Sequence, residues 1–558
     1  MIKRIFSAVT AALTATALVS GCAQLPQSGA IGIGPDIANT DGADYVYYSP
    51  ASPAEDASQQ EIISGFLSAG NGPQNDYSVA RSYLTVEKQT DWIPSEEVLL
   101  QEGPPRFTFA SENEVHVDVN ISASIDAYGS YTVAARGTQR HLVYRFAQQD
   151  GQWRLSEAPN LTMLLHPNFL VLFKPYSLYF FDSNHNFLVP DIRWFPSRTS
   201  TATRLASALL KGPQQWLQPA LAPSSSSGIE LNIDAVPIVN AEASVDLSAN
   251  ASQLPTKDLQ YLKAQLKSTL TQLPTVTDVS IAIDGVVQAV RDVPSQVSRG
   301  AIGSPVALTS TGLAHLGAST PLFSTNELKD LVGPDIRDFA LNAGETSLAL
   351  VTGVGVYQVR RSTIGSQAEL VDRRPEQLAP HWDNRNYLWT LTSTDSASWF
   401  ATDASGNRRR VSTTAYANSS ITSFAISPDG SRVAVLSTGD RNGVWVLPIL
   451  RNAKGTPTSL GRGIKLPLEQ GVPTAVTWAD SSNVSMLMKL SGTSVRAVTQ
   501  LVGGESSSYP AISDGVAIVA SNAARAVYIL LANGTVVLSR SSIWNTVQTN
   551  VLSLRYGD

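Results

Sequence analysis

The segment FAISPDGSRVAV, residues 424–435, has the pattern of a β-strand, a tight turn and a second strand. Its Ser-Pro-Asp-Gly element supplies proline and glycine where a turn restricts the backbone dihedral angles. A similar segment, FALNAGETSLAL, occupies residues 339–350, and the fragments HWDN (381–384) and TWAD (477–480) fit the same place in the pattern. The chain therefore contains a recurring unit of two strands joined by a polar turn.

The spacing of this unit indicates the fold of the C-terminal half. If Leu341, Trp382, Ile426 and Trp478 are equivalent, the successive steps are 41, 44 and 52 residues. Propeller blades of four strands repeat every ~40–45 residues. We therefore predict an all-β propeller of about five or six blades over residues 300–558. A pair of β-sandwiches is the alternative, and the repeat period is evidence against it.

The N-terminus indicates where the protein is located. A short basic head, MIKR, precedes an uncharged run at residues 5–19, and the segment LVSGC occupies residues 18–22. The run is shorter than the ~20 apolar residues of a membrane-spanning helix, and its order is that of a secretory signal peptide. LVSGC resembles the bacterial lipobox, which implies cleavage between Gly21 and Cys22 and an N-palmitoyl, S-diacylglycerol group on Cys22. An ordinary cleaved signal and an uncleaved anchor helix are the alternatives.

A lipid on Cys22 would determine how the protein is held. Two acyl chains hold a protein firmly on a membrane, whereas one holds it only marginally, because each buried methylene contributes about 0.8 kcal/mol. Residues 22–53, rich in Gly, Pro, Ser and Asn, are predicted to form a flexible tether. We therefore predict an exported protein that is lipid-anchored on the outer face of the cytoplasmic membrane.

Composition excludes several functional classes. Without Lys3 and Arg4, which the signal peptide carries, 38 basic residues stand against 46 acidic residues, a net charge of −8. This balance gives no basic surface for nucleic acid. Because Cys22 is the only cysteine, no intrachain disulfide can form, and the domains must depend on their hydrophobic cores. Neither a phosphate-binding loop nor any other cofactor motif is present, so we predict no cofactor.

Residues 54–160 are predicted to form an α+β domain. A helical face (Ile62, Ile63, Phe66, Leu67) and a second short helix (Val79, Ala80, Tyr83, Leu84) precede strands that alternate apolar and polar residues from Val115 to Ile121. Helices followed by an antiparallel sheet ending in DGQWRL resemble the NTF2-like cone. Some cones of this type hold an acid and a tyrosine in a catalytic pocket, for which Asp118, Asp126, Tyr128 and His141 are available. The alternative is that these four are turn and surface residues.

A second α+β domain is predicted over residues 170–290. Its first hairpin turns at DSNHN, residues 182–186, which begins like a calcium loop but has Phe187 in place of the required glycine and Arg193 in place of the required glutamate. Later segments are LLKGP (209–213), VDLS (245–248), an amphipathic helix over residues 257–273, and VSIAIDG (279–285). In order and spacing they resemble the GerMN domain of cell-envelope proteins, for which no catalytic activity is implied.

The chain as a whole is similar to the actinobacterial lipoprotein LpqB family. The segments GFLSA (65–69), ARSYLT (80–85) and WIP (92–94), placed behind a lipobox, carry the resemblance together with the GerMN segments. The resemblance implies that the partner is the extracellular domain of a sensor histidine kinase, MtrB of the MtrA–MtrB two-component system. It also implies a role in cell-wall homeostasis and division.

No motif in the sequence demands catalysis. The six histidines have no metal-ligand spacing, and serine-hydrolase and penicillin-binding patterns are absent. Arg408-Arg409-Arg410 is interpreted as a solvated strand end, or otherwise as a contact for an acidic partner or a lipid head group. We therefore predict a non-enzymatic interaction protein. The alternatives are an envelope hydrolase and a binder of wall polymer or a small ligand, and the binder would be favoured by a rim of aromatic side chains, with candidates Trp382, Trp389, Trp399 and Trp445.

Overall fold

The computed structural model describes residues 50–73, 75–197, 200–223, 228–298, 304–362, 365–413, 416, 418–468, 470–523, 525–540 and 542–557. Gly21, Cys22 and the predicted signal peptide lie outside these ranges, so their assignments stay predictions. Among the described residues, no helix combines the length and the apolar character needed to cross a membrane.

Three helices open the first α+β region: α1 (Gln59–Ala69), α2 (Ser78–Arg81) and α3 (Val86–Asp91). Helix α1 begins at a capping box in which Ser58 and Glu61 satisfy each other's backbone amides. Its predicted face is buried at Ile62, Ile63 and Phe66. Helix α2 is shorter than predicted, because the backbone of Tyr83 instead accepts a hydrogen bond from Leu155 in the sheet.

The sheet packed on these helices contains six strands: β1 (Glu97–Ser111), β2 (Glu114–Asp126), β3 (Tyr131–Val133), β4 (Gln139–Gln149), β5 (Gln152–Glu157) and β6 (Thr162–Leu165). Their order is β5-β4-β2-β1-β6, with β3 also paired to β2. Strand β2 alternates buried and more exposed residues as predicted. Strand β1, the longest of the six, was not predicted, because its second half is largely exposed and lacks a buried apolar alternation.

The second α+β region follows without a break. Its elements are α4 (His166–Leu172), β7 (Phe173–Phe181), β8 (Phe187–Pro196), α5 (Thr201–Lys211), β9 (Ile238–Val239), β10 (Glu242–Leu247), α6 (Thr256–Leu270), β11 (Asp278–Ile283), β12 (Val286–Val287) and β13 (Gln296–Val297). Strands β10 and β11 are parallel, with α6 as the crossover. The leucine stripe of α6 packs in the same core as α5 and the β7–β8 hairpin.

From residue 304 onward the described chain is almost entirely β. Its elements are β14 (Val306–Thr309), β15 (Gly312–His315), β16 (Phe323–Ser324), α7 (Thr325–Val332), β17 (Ile336–Leu341), β18 (Ser347–Thr352), β19 (Val356–Ser362), β20 (Gly365–Asp372), β21 (His381–Trp382), β22 (Leu388–Thr392), β23 (Asp395–Thr402), β24 (Arg408–Val411), β25 (Ser419–Ile426), β26 (Arg432–Gly439), β27 (Gly443–Arg451), β28 (Pro457–Leu460), β29 (Ile464–Lys465), β30 (Val472–Trp478), β31 (Asn483–Ser491), β32 (Ser494–Leu501), β33 (Ser506–Ser508), β34 (Ile512–Ser513), β35 (Gly515–Ser521), β36 (Ala526–Leu531), β37 (Val536–Ser539), β38 (Asn545–Gln548) and β39 (Val551–Arg555).

These strands form consecutive antiparallel sheets that close into a ring. Within the described residues there are six such sheets, and β39 completes the first sheet by pairing with β14. The strands β39, β17, β21, β25, β30 and β35 are the inner members, and each contacts its two neighbours around the ring. Because the last strand pairs with the first, the two ends of the region meet in one sheet, which closes the ring. The prediction of an all-β, propeller-like C-terminal region is confirmed.

The repeat seen in the sequence marks equivalent positions of this ring. Leu341, Trp382, Ile426 and Trp478 all lie on the first strands of consecutive sheets. The four segments aligned in the sequence account for the second to the fifth sheets. The step of 52 residues contains the extra strand β29, which pairs with β27 beyond the regular four strands.

Candidate functional site

The β7–β8 hairpin is packed between other parts of the described chain. Nine of the ten residues of β8 are buried, although a hairpin of an α+β domain would normally expose one face. Trp194 accounts for part of this burial, because its backbone amide donates to Gly129 of the first region (2.7 Å) and its indole N–H donates to the carbonyl of Gly503 in the ring (3.0 Å). Strand β8 therefore contacts both the first α+β region and the ring.

A buried ion pair lies inside this strand. The Arg193 guanidinium donates to Asp191 at 2.8 Å, and both side chains are almost fully buried. Asp191 also accepts hydrogen bonds from the backbone and side-chain amides of Gln214, at 2.8 and 2.7 Å. Arg193 reaches the carbonyl of Tyr128 in the first region at 3.1 Å. The pair therefore links three segments that are distant in sequence.

The turn of the hairpin is anchored to the third sheet of the ring. Asp182 accepts the backbone amides of Asn186 and Phe187 at 2.7 and 3.1 Å, which shapes the turn as predicted. Its second carboxylate oxygen accepts a hydrogen bond from Arg385, which also donates to the Asn184 side chain at 2.6 Å. The segment DSNHN is thus a polar turn at an interface.

A second buried pair lies where the hairpin meets the fourth and fifth sheets. Arg432 and Asp429 are 2.5 Å apart, with side-chain exposures of 1% and 0%. The same guanidinium donates to the carbonyls of Ser481 and Pro190, at 2.5 and 3.4 Å. It also lies 5.1 Å from the centre of the Trp478 ring. We call Asp182, Arg385, Asp429 and Arg432 the junction cluster.

A third contact joins the first α+β region to the fifth sheet. The Tyr131 hydroxyl donates to Glu505 at 2.5 Å, and His166 lies 3.1 Å from the other oxygen of that carboxylate. Burial, and then the hydrogen bond to Glu505, raise the pKa of Tyr131 far above its usual value. Tyr131 is therefore a neutral donor that ties the two regions together.

The four polar residues predicted for the first region divide between two places. Asp118 and His141 are adjacent on β2 and β4, 2.7 Å apart, beside a second pair of His116 and Glu114 at 2.8 Å. We call these four residues the sheet-face cluster. It lies on the partly exposed face of the sheet, with His141 55% and Asp118 32% exposed.

The remaining two predicted residues belong to a turn. One carboxylate oxygen of Asp126 accepts the backbone amides of Tyr128 and Ser130, at 2.9 and 2.8 Å, and Tyr128 is exposed beneath Lys211. The four residues therefore do not converge on one pocket. Within the described ranges, no group of three or more His, Cys, Asp or Glu side chains is arranged to hold a metal ion.

The tryptophans proposed as an aromatic rim are mostly core residues. Trp382, Trp389 and Trp399 are at most 1% exposed, and Trp445 is partly buried beneath Arg441. Trp389 and Trp399 pack edge-to-face in the core between the third and fourth sheets. These side chains stabilise the ring and offer little surface to a ligand.

The arginine run of β24 is exposed at all three residues, as predicted for a solvated strand end. Arg408 has a structural role in addition, because it pairs with the buried carboxylate of Asp372 at 2.8 Å and covers the Phe400 ring at 3.6 Å. Its guanidinium therefore helps to neutralise a buried charge.

Sequence reasoning did not identify the buried charge pairs. Asp191 and Arg193 stand in the apolar run FLVPDIRWFP, and charged residues are rarely fully buried unless they are paired. The presence of two charged residues in an apolar run could therefore have indicated a buried ion pair. The sequence around Arg385 and Arg432 gave no such signal, because a charged residue beside a turn is usually exposed. The geometry defines a multidomain protein with two α+β regions fixed to a β ring by buried polar contacts, and no assembled catalytic group occurs among these contacts.

Comparison with known protein families agrees with this architecture. Residues 52–170 match the model for the N-terminal domain of lipoprotein LpqB, and residues 324–553 match the model for its β-propeller domain. Residues 177–289 match the family described as sporulation and spore germination, which corresponds to the predicted GerMN domain. The chain belongs to the lipoprotein LpqB family.

Relatives extend the match along the chain. Lipoprotein LpqB of Thermobifida fusca is 25% identical over 92% of both chains. Lipoprotein LpqB of Bifidobacterium longum is 26% identical over 75% of this chain and 74% of that one. These relatives are named as lipoproteins and not as enzymes. A solved β-propeller domain of Cps50 (Swd1) has a TM-score of 0.28 and 11% identity, over 39% of this chain and 72% of that chain, and we base no conclusion on it.

Proposed function

We propose that this protein is a lipid-anchored, extracytoplasmic regulator that modulates a membrane sensor histidine kinase of the MtrA–MtrB type. In this proposal the chain is cleaved before Cys22, and its diacylated cysteine is followed by a tether over residues 22–53. The folded part then consists of an NTF2-like domain (54–160), a GerMN domain (170–290) and a six-bladed propeller (300–558). Family membership and the lipobox support this order.

The observation that carries the proposal is the buried hairpin. A catalytic protein needs a pocket with convergent reactive groups, whereas a docking protein needs a rigid surface. Strand β8 and the junction cluster tie the α+β regions to three sheets of the ring. A lipid anchor would confine this surface near membrane partners and raise their effective concentration. The kinase partner follows from family resemblance.

The alternative is a binding protein for wall polymer or a small ligand. The buried tryptophans of the ring remove its predicted aromatic rim. The side chains of the sheet-face cluster lie partly in solvent, where they do not enclose a ligand. The regulatory proposal is therefore better supported.

Crosslinking in membranes tests the proposal. The full chain should crosslink to the extracellular domain of the kinase, and Cys22→Ala should both leave the membrane fraction and lose most of that crosslinking. Arg337→Gln, at an exposed pair with Asp335, is the control and should behave like the wild type. Retention of the Cys22→Ala chain with incorporated palmitate would refute the anchor. A wild-type chain that never contacts the kinase domain would refute the partner.

A further inference from the structure

The junction between the second and third sheets of the ring differs from the other junctions. Its apolar part is small, with six buried residues that include Trp382 and Leu388. Beside these apolar residues, polar side chains of the second and third sheets face the junction. Gln358 is the register partner of Ala349, and Thr402 is the register partner of Leu388. Ala349 and Leu388 belong to the apolar group. Because register partners lie on the same face of a sheet, both polar side chains face the junction. We call this polar part the seam.

The seam contains buried polar atoms that have no partner. Gln358 is fully buried, and neither its amide nitrogen nor its amide oxygen makes a hydrogen bond to any residue that the structure describes. The hydroxyl of Thr402, which is also fully buried, has none either. An unpaired buried polar group costs about 1–3 kcal/mol, so two such side chains in one seam suggest a use other than stability.

The solvent-facing end of the seam, which we call its mouth, carries more positive than negative charge. Arg374 and Arg408 share the single buried carboxylate of Asp372, and their guanidiniums lie 4.6 and 3.6 Å from the centre of the Phe400 ring. Burial and the neighbouring Arg374 lower the pKa of Arg408 despite the attraction of Asp372. Arg410 adds a third guanidinium, which donates to the Ser398 hydroxyl at 3.4 Å.

A further acidic side chain near the seam already has a basic partner. The nearby Glu369 pairs with Arg360, which also donates to the carbonyl of Ala404 at 2.8 Å. This second contact crosses from the second sheet to the third, two residues after Gln358 on β19 and two residues after Thr402 on β23. Thr402 in turn pairs directly with Arg408. The register therefore places Gln358, Thr402 and Arg408 on strand faces that point into the same junction.

We propose that the seam binds a phosphate group, held by Arg408 and Arg410 at its mouth with the Gln358 amide and the Thr402 hydroxyl beneath them. Arginine forms bidentate, charge-assisted hydrogen bonds with phosphate oxygens. The group can come from a soluble phosphate or from a lipid head group. This inference does not depend on the kinase partner.

Titration of the full chain with inorganic phosphate at constant ionic strength, followed by calorimetry, tests the site. Wild type should bind saturably, and Arg410→Gln and Arg408→Gln should each weaken binding about tenfold, the equivalent of one charged hydrogen bond. Arg409→Gln is the matched control, because Arg409 lies on the same strand with its side chain on the opposite face, and it should change affinity by less than about twofold. Arg410 is exposed, so its variant should fold even if Arg408→Gln does not.

Gln358→Leu separates a ligand role from a purely structural one. The variant removes an unpaired buried amide, so its thermal stability should be maintained or raised, while its phosphate affinity falls. Vesicles with and without phosphatidylglycerol, tested on the Cys22→Ala chain, distinguish the source. Binding that requires this lipid and is lost in Arg410→Gln identifies a head group, and phosphate binding without it identifies a soluble ligand.

Two results would overturn the inference. One is the absence of saturable phosphate binding together with indifference to phosphatidylglycerol. The other is an equal loss of affinity in Arg409→Gln and Arg410→Gln, which would show general electrostatic attraction. Unchanged affinity in Gln358→Leu would overturn the assignment of the amide donor.

Discussion

The junction cluster and the sheet-face cluster contain similar residues in opposite surroundings. The first holds Arg432 and Asp429 at exposures of 1% and 0%, whereas the second leaves His141 55% exposed. Distances within the pairs are comparable, at 2.5 and 2.7 Å. Contact distance therefore does not distinguish a structural pair from a surface pair. The difference is desolvation, because a buried charge that loses its partner keeps its full penalty, whereas an exposed charge is rehydrated.

The largest effect is expected at Arg432. Arg432→Met leaves Asp429 buried without its cation and also removes the donor to Ser481. Breaking such a pair lowers the free energy of unfolding by about 3–5 kcal/mol. Urea unfolding, followed by the fluorescence of the tryptophans in the ring, should detect this loss. Because Asp429 keeps its hydrogen bonds from Ser427 and Ser431, the lower end of the range is expected. A loss below about 1 kcal/mol would contradict the argument from burial.

The next effect is expected at the hairpin turn. Arg385→Gln removes the charged hydrogen bonds to Asp182 and Asn184 and should destabilise the junction by about 2 kcal/mol. Limited proteolysis should then cut the hairpin faster than in the wild type. The control Arg337→Gln removes an exposed pair and should change stability by less than about 0.5 kcal/mol. Equal sensitivity of both variants would refute a specific role for Arg385.

A smaller, pH-dependent effect is expected at Asp372. Burial alone would raise the pKa of this carboxyl, but hydrogen bonds from Arg374 and Thr390 outweigh it and hold the pKa below its usual value. The stabilisation is present above the unfolded pKa of about 3.9 and is lost as pH falls below it. Asp372→Asn should therefore be less stable than the wild type at neutral pH, and thermal unfolding at several pH values should show the difference shrinking below about pH 4. A constant difference would contradict this account.

The smallest effect is expected in the sheet-face cluster. Asp118→Asn removes the charge beside His141 on a half-exposed face, where an ion pair contributes about 0–1 kcal/mol. Chemical unfolding should detect a change within about 0.5 kcal/mol of the wild type. A loss as large as that of Arg432→Met would mean that the two clusters do not differ in the way their burial indicates.

Local patterns in the sequence predicted local structure well. The apolar spacing of α1 and α6, the alternation of β2 and the strand-turn-strand repeat all depend on neighbouring residues, so their periods are visible in a single chain. The sequence did not predict β1, because its exposed half lacks a buried face. It also did not identify β8 as an interdomain strand, since that role comes from partners at Gly129 and Gly503, far along the chain.

The sequence by itself determined the α+β and propeller-like order of the chain, the unique cysteine on which the anchor proposal depends, and the family. These features depend on composition, periodicity and short motifs. Only the tertiary structure decided which charged residues are structural. It buried Arg432 between the hairpin and the ring, left His141 half exposed and placed Arg408 over Phe400. The physical reason is that the free energy of a charge depends on its distance from water and from its partners, and the packing of segments remote in sequence determines both distances.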